Sequence, residues 1–210
     1  MDFKWRMPNI FLLDINPKMT KEWEKCFANE ENVQVVCEEF GIFMEKHPEN
    51  ISVVSPANSY GLMDGGYDEA ITQFWGDFVQ LKVQKKIQEQ YLGEQPVATV
   101  LVVTIDTDKR VKLLHIPTMK VPEPIIDPQI IYHCTRQAII TAIMDDDIED
   151  IVIPAFGALT GRVPSEMVAK QMYAAYLQIK MQIENGNPCI GSWNTVLRQN
   201  LQILKKLQEK

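Results

Sequence analysis

With 210 residues, 46% of them hydrophobic and 23% charged, the chain has the balance of an ordinary globular protein. It is long enough to close a core without disulfide or metal staples, so a single domain over 1–210 is expected. No apolar run approaches the eighteen or so residues a bilayer span needs. Asp14 interrupts the short apolar stretch near the N-terminus and no small-residue cleavage site follows, a pattern that points to a cytoplasmic protein without a membrane partner. The net charge of −7 weighs against a nucleic-acid polymer, whose binding draws on Lys and Arg neutralising phosphates. A bound phosphate is expected on backbone N–H groups instead.

Residues 9–15 (NIFLLDI) are short and apolar between prolines, a buried strand. A helix is expected over 20–29, strands over 33–40 (VQVVCEEF) and 51–55 (ISVVS), and between those strands a polar stretch holding His47 and Pro48. From 68 to 91 apolar residues at helical spacing (Ile71, Phe74, Trp75, Phe78, Val79, Val83) predict one helix, kinked near Gly76. The runs 97–106 and 111–117 flank the polar tetrad 107–110 as an antiparallel hairpin, which makes the sheet mixed. A helix over 129–144, a strand over 148–154, a helix over 165–183 and a last amphipathic helix over 195–207 complete the chain. Strands and helices alternating in this way predict an α/β fold, a three-layer α/β/α sandwich around a mixed central sheet.

Cys26, Cys37, Cys134 and Cys189 lack paired spacing and are expected as free buried thiols. His47, His115 and His133 show no ligand spacing, so neither a metal nor another cofactor is expected. The glycines carry the functional signal. Of ten in the chain, Gly61, Gly65, Gly66, Gly157 and Gly161 fall in two short segments, each after a predicted strand and before a predicted helix. Turns alone would use such glycines. Two such loops side by side would also form a diphosphate cradle from backbone amides and helix N-termini.

ISVVSPANSYGLMDGGYDEAI (51–71) resembles the first signature of macro domains, with its alanine-asparagine pair, glycine-rich loop and helix start. IVIPAFGALTGRVPSEMVAKQMYAAY (151–176) resembles their second phosphate loop. A Pro after that loop, a Gln-Met pair on the helix and the segment LHIPTMKVP (114–122) are similar to the branch related to phage tail genes.

The resemblance implies binding of ADP-ribose or a derivative, free or attached to a protein. By position, Asp14 resembles the acidic residue that accepts from the adenine amino group, a role suited to an acceptor-only carboxylate. Asn58 resembles the asparagine facing the distal ribose, and Ser55 stands beside it at the strand end. Gly65 and Gly66 resemble the first phosphate loop, and Gly157, Ala158, Leu159, Thr160 and Gly161 the second, with Arg162 as the adjoining cation. Asp68 at the helix start is explained equally by helix capping. Asn58 and Asp68 are the candidate catalytic residues. Phe156 and Trp193 could meet the ligand, although core packing for the first and a plug under the last helix for the second are the plainer roles.

Ser55 and Pro56 stand where hydrolytic relatives often place an asparagine, and Ala158 and Leu159 replace smaller loop residues, departures that weigh on catalysis more than on binding. Three functions follow: a reader of ADP-ribose, an ADP-ribosyl hydrolase or enzyme of ADP-ribose derivatives, and a degenerate fold used for protein interaction.

Overall fold

Asn16 sets the first helix earlier than apolar spacing predicts. Its side chain accepts from the Lys18 N–H at 3.0 Å and Pro17 follows at the first helical position, where its missing N–H costs nothing. In a computed structural model, which describes residues 5–47, 49–184 and 192–210, the elements run β1 (Asn9–Asp14), α1 (Pro17–Phe27), β2 (Val33–Cys37), α2 (Phe40–Lys46), β3 (Ile51–Ser55), α3 (Gly66–Trp75), α4 (Phe78–Tyr91), β4 (Leu101–Asp106), β5 (Val111–His115), α5 (Gln129–Met144), β6 (Asp150–Pro154), α6 (Ser165–Glu184) and α7 (Trp193–Gln208). Pro48, Cys189 and Gly191 lie outside the described residues.

The sheet has six strands in the order β2-β1-β6-β3-β5-β4. All are parallel except β4, which pairs antiparallel with β5 as a hairpin. Adjacent strand residues face opposite sides and separate two cores. Leu12, Val54, Leu114, Ile151 and Ile153 pack with α1, α5, α6 and α7, whereas Leu13, Val53, Leu113 and Val152 pack with α2, α3 and α4. The result is the three-layer sandwich with a mixed sheet. Trp23, fully buried, anchors the first core, its indole N–H donating to the Met172 sulfur at 3.3 Å. The buried Glu30 carboxylate accepts from Tyr173 at 3.1 Å, Tyr176 at 3.0 Å and Lys180 at 2.6 Å, pinning the end of α1 to α6.

Several element boundaries differ from expectation, each for a local reason. The strand expected over 33–40 ends at Cys37, and the supposed polar stretch contains α2, whose buried Phe40, Phe43 and Met44 sit at helical spacing inside a window too short and too charged to show periodicity. The helix expected over 68–91 is two helices. Gly76, at φ 102°, breaks the chain where the apolar spacing runs on unbroken. Residues 97–98 form a turn and 99–100 lie outside β4, with Ala98 at φ 60° and the Thr99 N–H donating to the Pro96 carbonyl. Cys26 and Cys134 are buried free thiols as expected, but Cys37 is exposed because β2 is an edge strand. No helix among the described residues is long and apolar enough to cross a membrane.

Candidate functional site

Five parallel strands end along one edge of the sheet, in Cys37 (β2), Asp14 (β1), Pro154 (β6), Ser55 (β3) and His115 (β5). β6 lies between β1 and β3, so the loops after β3 and β6 leave the sheet side by side, in the crevice where open α/β sheets take ligands.

The first loop is built around Asn58. Its Nδ2 donates to the Leu62 carbonyl at 2.6 Å, and its Oδ1 accepts from the N–H groups of Tyr60 (3.1 Å) and Leu62 (3.3 Å). Both ends of the amide are spent inside the loop, as in an Asx-type turn. Gly61, at φ 67°, lies where a side chain would strike Val83 at 2.8 Å and Ile87 at 2.9 Å, so it serves packing on α4 rather than the crevice. Gly65 differs. Its φ of −160° suits any residue, and a side chain there would meet nothing within 4 Å, so it borders open space. As N-cap of α3 it supplies no side-chain cap, and the helix start presents backbone N–H groups to that space.

The second loop turns at Gly157 (φ 70°) and Arg162 (φ 55°), with the Val163 N–H donating to the Gly157 carbonyl at 3.1 Å. Gly161 is a glycine for want of room: a side chain would lie 2.6 Å from the Gly157 carbonyl oxygen and 2.7 Å from Ile125. A substitution there tests loop folding before it tests binding. Phe156 is fully buried in the core. Ala158 is half-buried, and Leu159, Thr160 and Arg162 are exposed. Leu159 reaches across the crevice, where a side chain on Gly66 (φ 60°) would meet its Cδ2 at 3.3 Å. The two glycine loops therefore lie within a side chain's reach of each other at the start of α3.

Below the loops lies a buried polar group that the sequence signals only in part. Ser55, with no exposed surface, donates from Oγ to Asp68 Oδ1 at 2.6 Å. Asp68 is the third residue of α3 and forms no capping bond, so capping does not account for it. Burial pushes its carboxyl up to about 7, the Ser55 hydrogen bond opposes this, and the charge of Asp64 adds to it. His115 pairs directly with Ser55 across β3 and β5 and faces the same side. Its Nδ1–H donates to Gln95 Oε1 at 2.7 Å, a direction fixed because Gln95 spends its amide N–H groups on Thr99 and the His115 carbonyl. Burial pushes the imidazole down to about 3, so it is neutral, and Nε2 is a buried acceptor with no partner among the described residues.

The Tyr67 hydroxyl is likewise buried and unpartnered among the described residues. Its phenol is held well above the usual range by burial and then by the charges of Asp14 and Asp68, so it lies within electrostatic reach of both carboxylates. Asp14 is half-buried. One oxygen accepts from the Asn16 N–H at 2.8 Å, and burial raises its carboxyl above the ordinary range. Tyr67 and His115 were not singled out by sequence; for His115 the available signal was its place at the C-terminal end of a predicted strand.

Trp193 is 80% exposed at the first turn of α7, so it does not plug the core. Two shallow surface depressions, one beside the acidic turn Asp145, Asp146 and Asp147 and one beside Glu24 and Gln34, are lined by none of the residues of the glycine loops. Among the described residues no group of three or more His, Cys, Asp or Glu is placed to hold a metal ion.

The family model for the Macro domain matches residues 54–172, a span that includes both glycine loops. An uncharacterized protein of Aquifex aeolicus (strain VF5) is 31% identical over 121 residues, covering 57% of this chain and 68% of that one. Among solved structures, the Oceanobacillus iheyensis macrodomain with ADP aligns at a TM-score of 0.53 and 20% identity, over 77% of this chain and 85% of that chain. A mutant of the same macrodomain with ADPR aligns at 0.51 and 18%, over 77% and 88%. At these identities the likeness to the solved structures is one of fold.

Proposed function

The chain belongs to the Macro domain family, and on that premise we propose that the crevice between its two glycine loops binds ADP-ribose, free or attached to a protein, and that the protein acts as a reader of that group. The observation that carries the reading is the juxtaposition of the loops at the ends of neighbouring strands, with Leu159 meeting Gly66 over the start of α3. In this reading the α3 N-terminus and the second-loop amides hold the diphosphate, and Asp14 accepts from the adenine amino group with the oxygen not engaged by Asn16. The solved relatives described with ADP and with ADPR support the choice of ligand.

ADP-ribose is expected to bind in the micromolar range, about −7 to −9 kcal/mol, and more tightly than AMP, which offers one phosphate to a two-loop cradle. Calorimetric titration against ADP-ribose, ADP, AMP and NAD measures this. No heat with millimolar ADP-ribose, and no thermal shift, would turn the assignment toward a fold used only for protein interaction.

One observation favours a second, hydrolytic reading: Asp68, at about 7, has the poise of a general acid or base at neutral pH. Against it, Asp68 is buried under Ser55 and the Asn58 amide is turned into its own loop. Hydrolysis of mono-ADP-ribosylated protein is therefore expected to be absent or about 10²–10³ slower than with a positioned water-orienting donor. A time course with acidic-, serine- and arginine-linked substrates, comparing the parent with Asn58→Ala, decides the matter. Fast turnover by the parent would contradict the reader assignment, and turnover unchanged in the variant would remove Asn58 from the candidate catalytic residues.

A further inference from the structure

The last helix carries more apolar surface than the body of the protein covers. In α7 the buried Ile203 and half-buried Leu207 pack into the first core, and Gln199 accepts from Gln182 on α6 at 3.0 Å. On the adjoining face Trp193, Leu197, Leu201 and Leu204 are 80%, 56%, 57% and 54% exposed, spaced i, i+4, i+8 and i+11. A surface helix ordinarily turns polar residues to such a face, and a contiguous exposed apolar stripe marks a contact. The helix has no acidic residue, and its charges are Arg198, Lys205 and Lys206 in a protein of net charge −7.

The opposite layer bears a patch of the complementary kind. Ile42 on α2, Phe74 on α3 and Phe78 on α4 are 45%, 37% and 42% exposed. Gly41 on α2 lies beside Phe74, where a side chain would make ordinary contact with the ring at 3.9 Å. Glu39, Glu45 and Asp77 are exposed around the patch. The nearby cations are engaged, Lys46 with Glu38 and Lys82 with the Thr104 carbonyl and the Phe78 ring.

We propose that the protein self-associates head to tail, the α7 stripe of one copy docking on the acidic Ile42–Phe74–Phe78 patch of the next. The two surfaces lie on opposite faces of the sheet, so one chain cannot join its own pair. A two-fold dimer through α7 would bring Arg198 and Lys205, which flank the stripe, of both copies into one interface, whereas the heterologous contact pairs basic with acidic edges. Such a contact leaves one free surface of each kind after every addition, and growth past the dimer follows unless a ring closes.

Sedimentation velocity of the full chain tests this, from about 10 µM to about 500 µM, at about 0.05 M and about 0.5 M salt. At low salt the 24.1 kDa monomer is expected to give way to dimers and then larger species as concentration rises, with association weakened about tenfold at high salt. Leu201→Glu abolishes association, as does the pair Glu39→Lys with Glu45→Lys. Adding Arg198→Glu and Lys205→Glu to that pair restores it, a rescue that misfolding cannot mimic. A monomer under all conditions overturns the proposal, and so does a dimer that grows no further and ignores charge reversal at Glu39 and Glu45. α7 packs on the other face of the sheet from α3, so ADP-ribose titration of Leu201→Glu reports separately on the ligand assignment.

Discussion

Gly65→Glu is expected to weaken ADP-ribose binding by about a hundredfold or more while leaving the melting temperature close to that of the parent. The position separates binding from folding. At φ −160° the backbone needs no glycine, and a side chain there would meet nothing within 4 Å, so the fold has no steric reason to respond. Open space beside the start of α3 is also where the proposed diphosphate lies. A carboxylate there takes up volume and opposes the phosphates at roughly 5 Å, worth about 3 kcal/mol per charge pair at an effective dielectric near 20. Gly161 would be a poorer probe, because a side chain 2.6 Å from the Gly157 carbonyl oxygen forces the loop itself to move. Calorimetric titration and a thermal melt on the same preparation settle the point. A Gly65→Glu variant that melts like the parent and binds ADP-ribose as well would place the ligand elsewhere.

Asp68→Asn is expected to stabilise the protein by about 2–4 kcal/mol at pH 8 and by little near pH 4. Burial raises this carboxyl from its ordinary 3.8 to about 7 in the folded chain. The folded state therefore holds a proton that the unfolded state releases, so stability falls as pH rises from about 4 to about 7, and above 7 the whole penalty is present. The displacement corresponds to about 4 kcal/mol at roughly 1.4 kcal/mol per pH unit, an upper figure because neighbouring groups relax. Asparagine keeps an oxygen for the Ser55 hydroxyl, whose hydrogen bond to Asp68 spans 2.6 Å, and removes the charge. For a domain of this size the gain appears as a rise of about 5–10 °C in melting temperature at pH 8. Melts of parent and variant at pH 5 and pH 8 provide the test, since other titrating groups cancel in the difference. Equal differences at the two pH values would show that Asp68 is ionised in the fold throughout. Because a bound diphosphate favours the protonated form, ADP-ribose affinity of the parent should also decline above pH 7.

Much of this candidate site is local in the chain, which is why the residues alone point to it. A short apolar strand followed by a glycine-containing loop and a helix start is a contiguous pattern, and it occurs at 51–71 and again at 151–176. The polar tetrad between two β-branched runs marked the hairpin of β4 and β5, and with it the mixed sheet. Asp14 at the end of an apolar run placed a carboxylate at a strand end, where β1 puts it.

Tertiary structure decided what depends on partners distant in sequence or on the direction of a side chain. His115 meets Ser55 only because β5 pairs with β3 in parallel, a register that no local pattern carries. Asn58 reads as a ligand residue by its neighbours, yet its amide is turned inward by three hydrogen bonds whose geometry arises when the loop closes. Apolar periodicity likewise reports that a residue is oily, not what covers it. It ran unbroken through Gly76 although a positive φ breaks the helix there, and it could not show that half the apolar arc of α7 lies open to solvent. Local patterns in the chain thus set the order of the strands and of the longer helices, though not α2 or the break between α3 and α4, and the residue types at the strand ends. Burial, pairing and backbone conformation, which arise from the whole chain packing at once, decided which of those groups face a ligand, which sustain their own loops and which await another molecule.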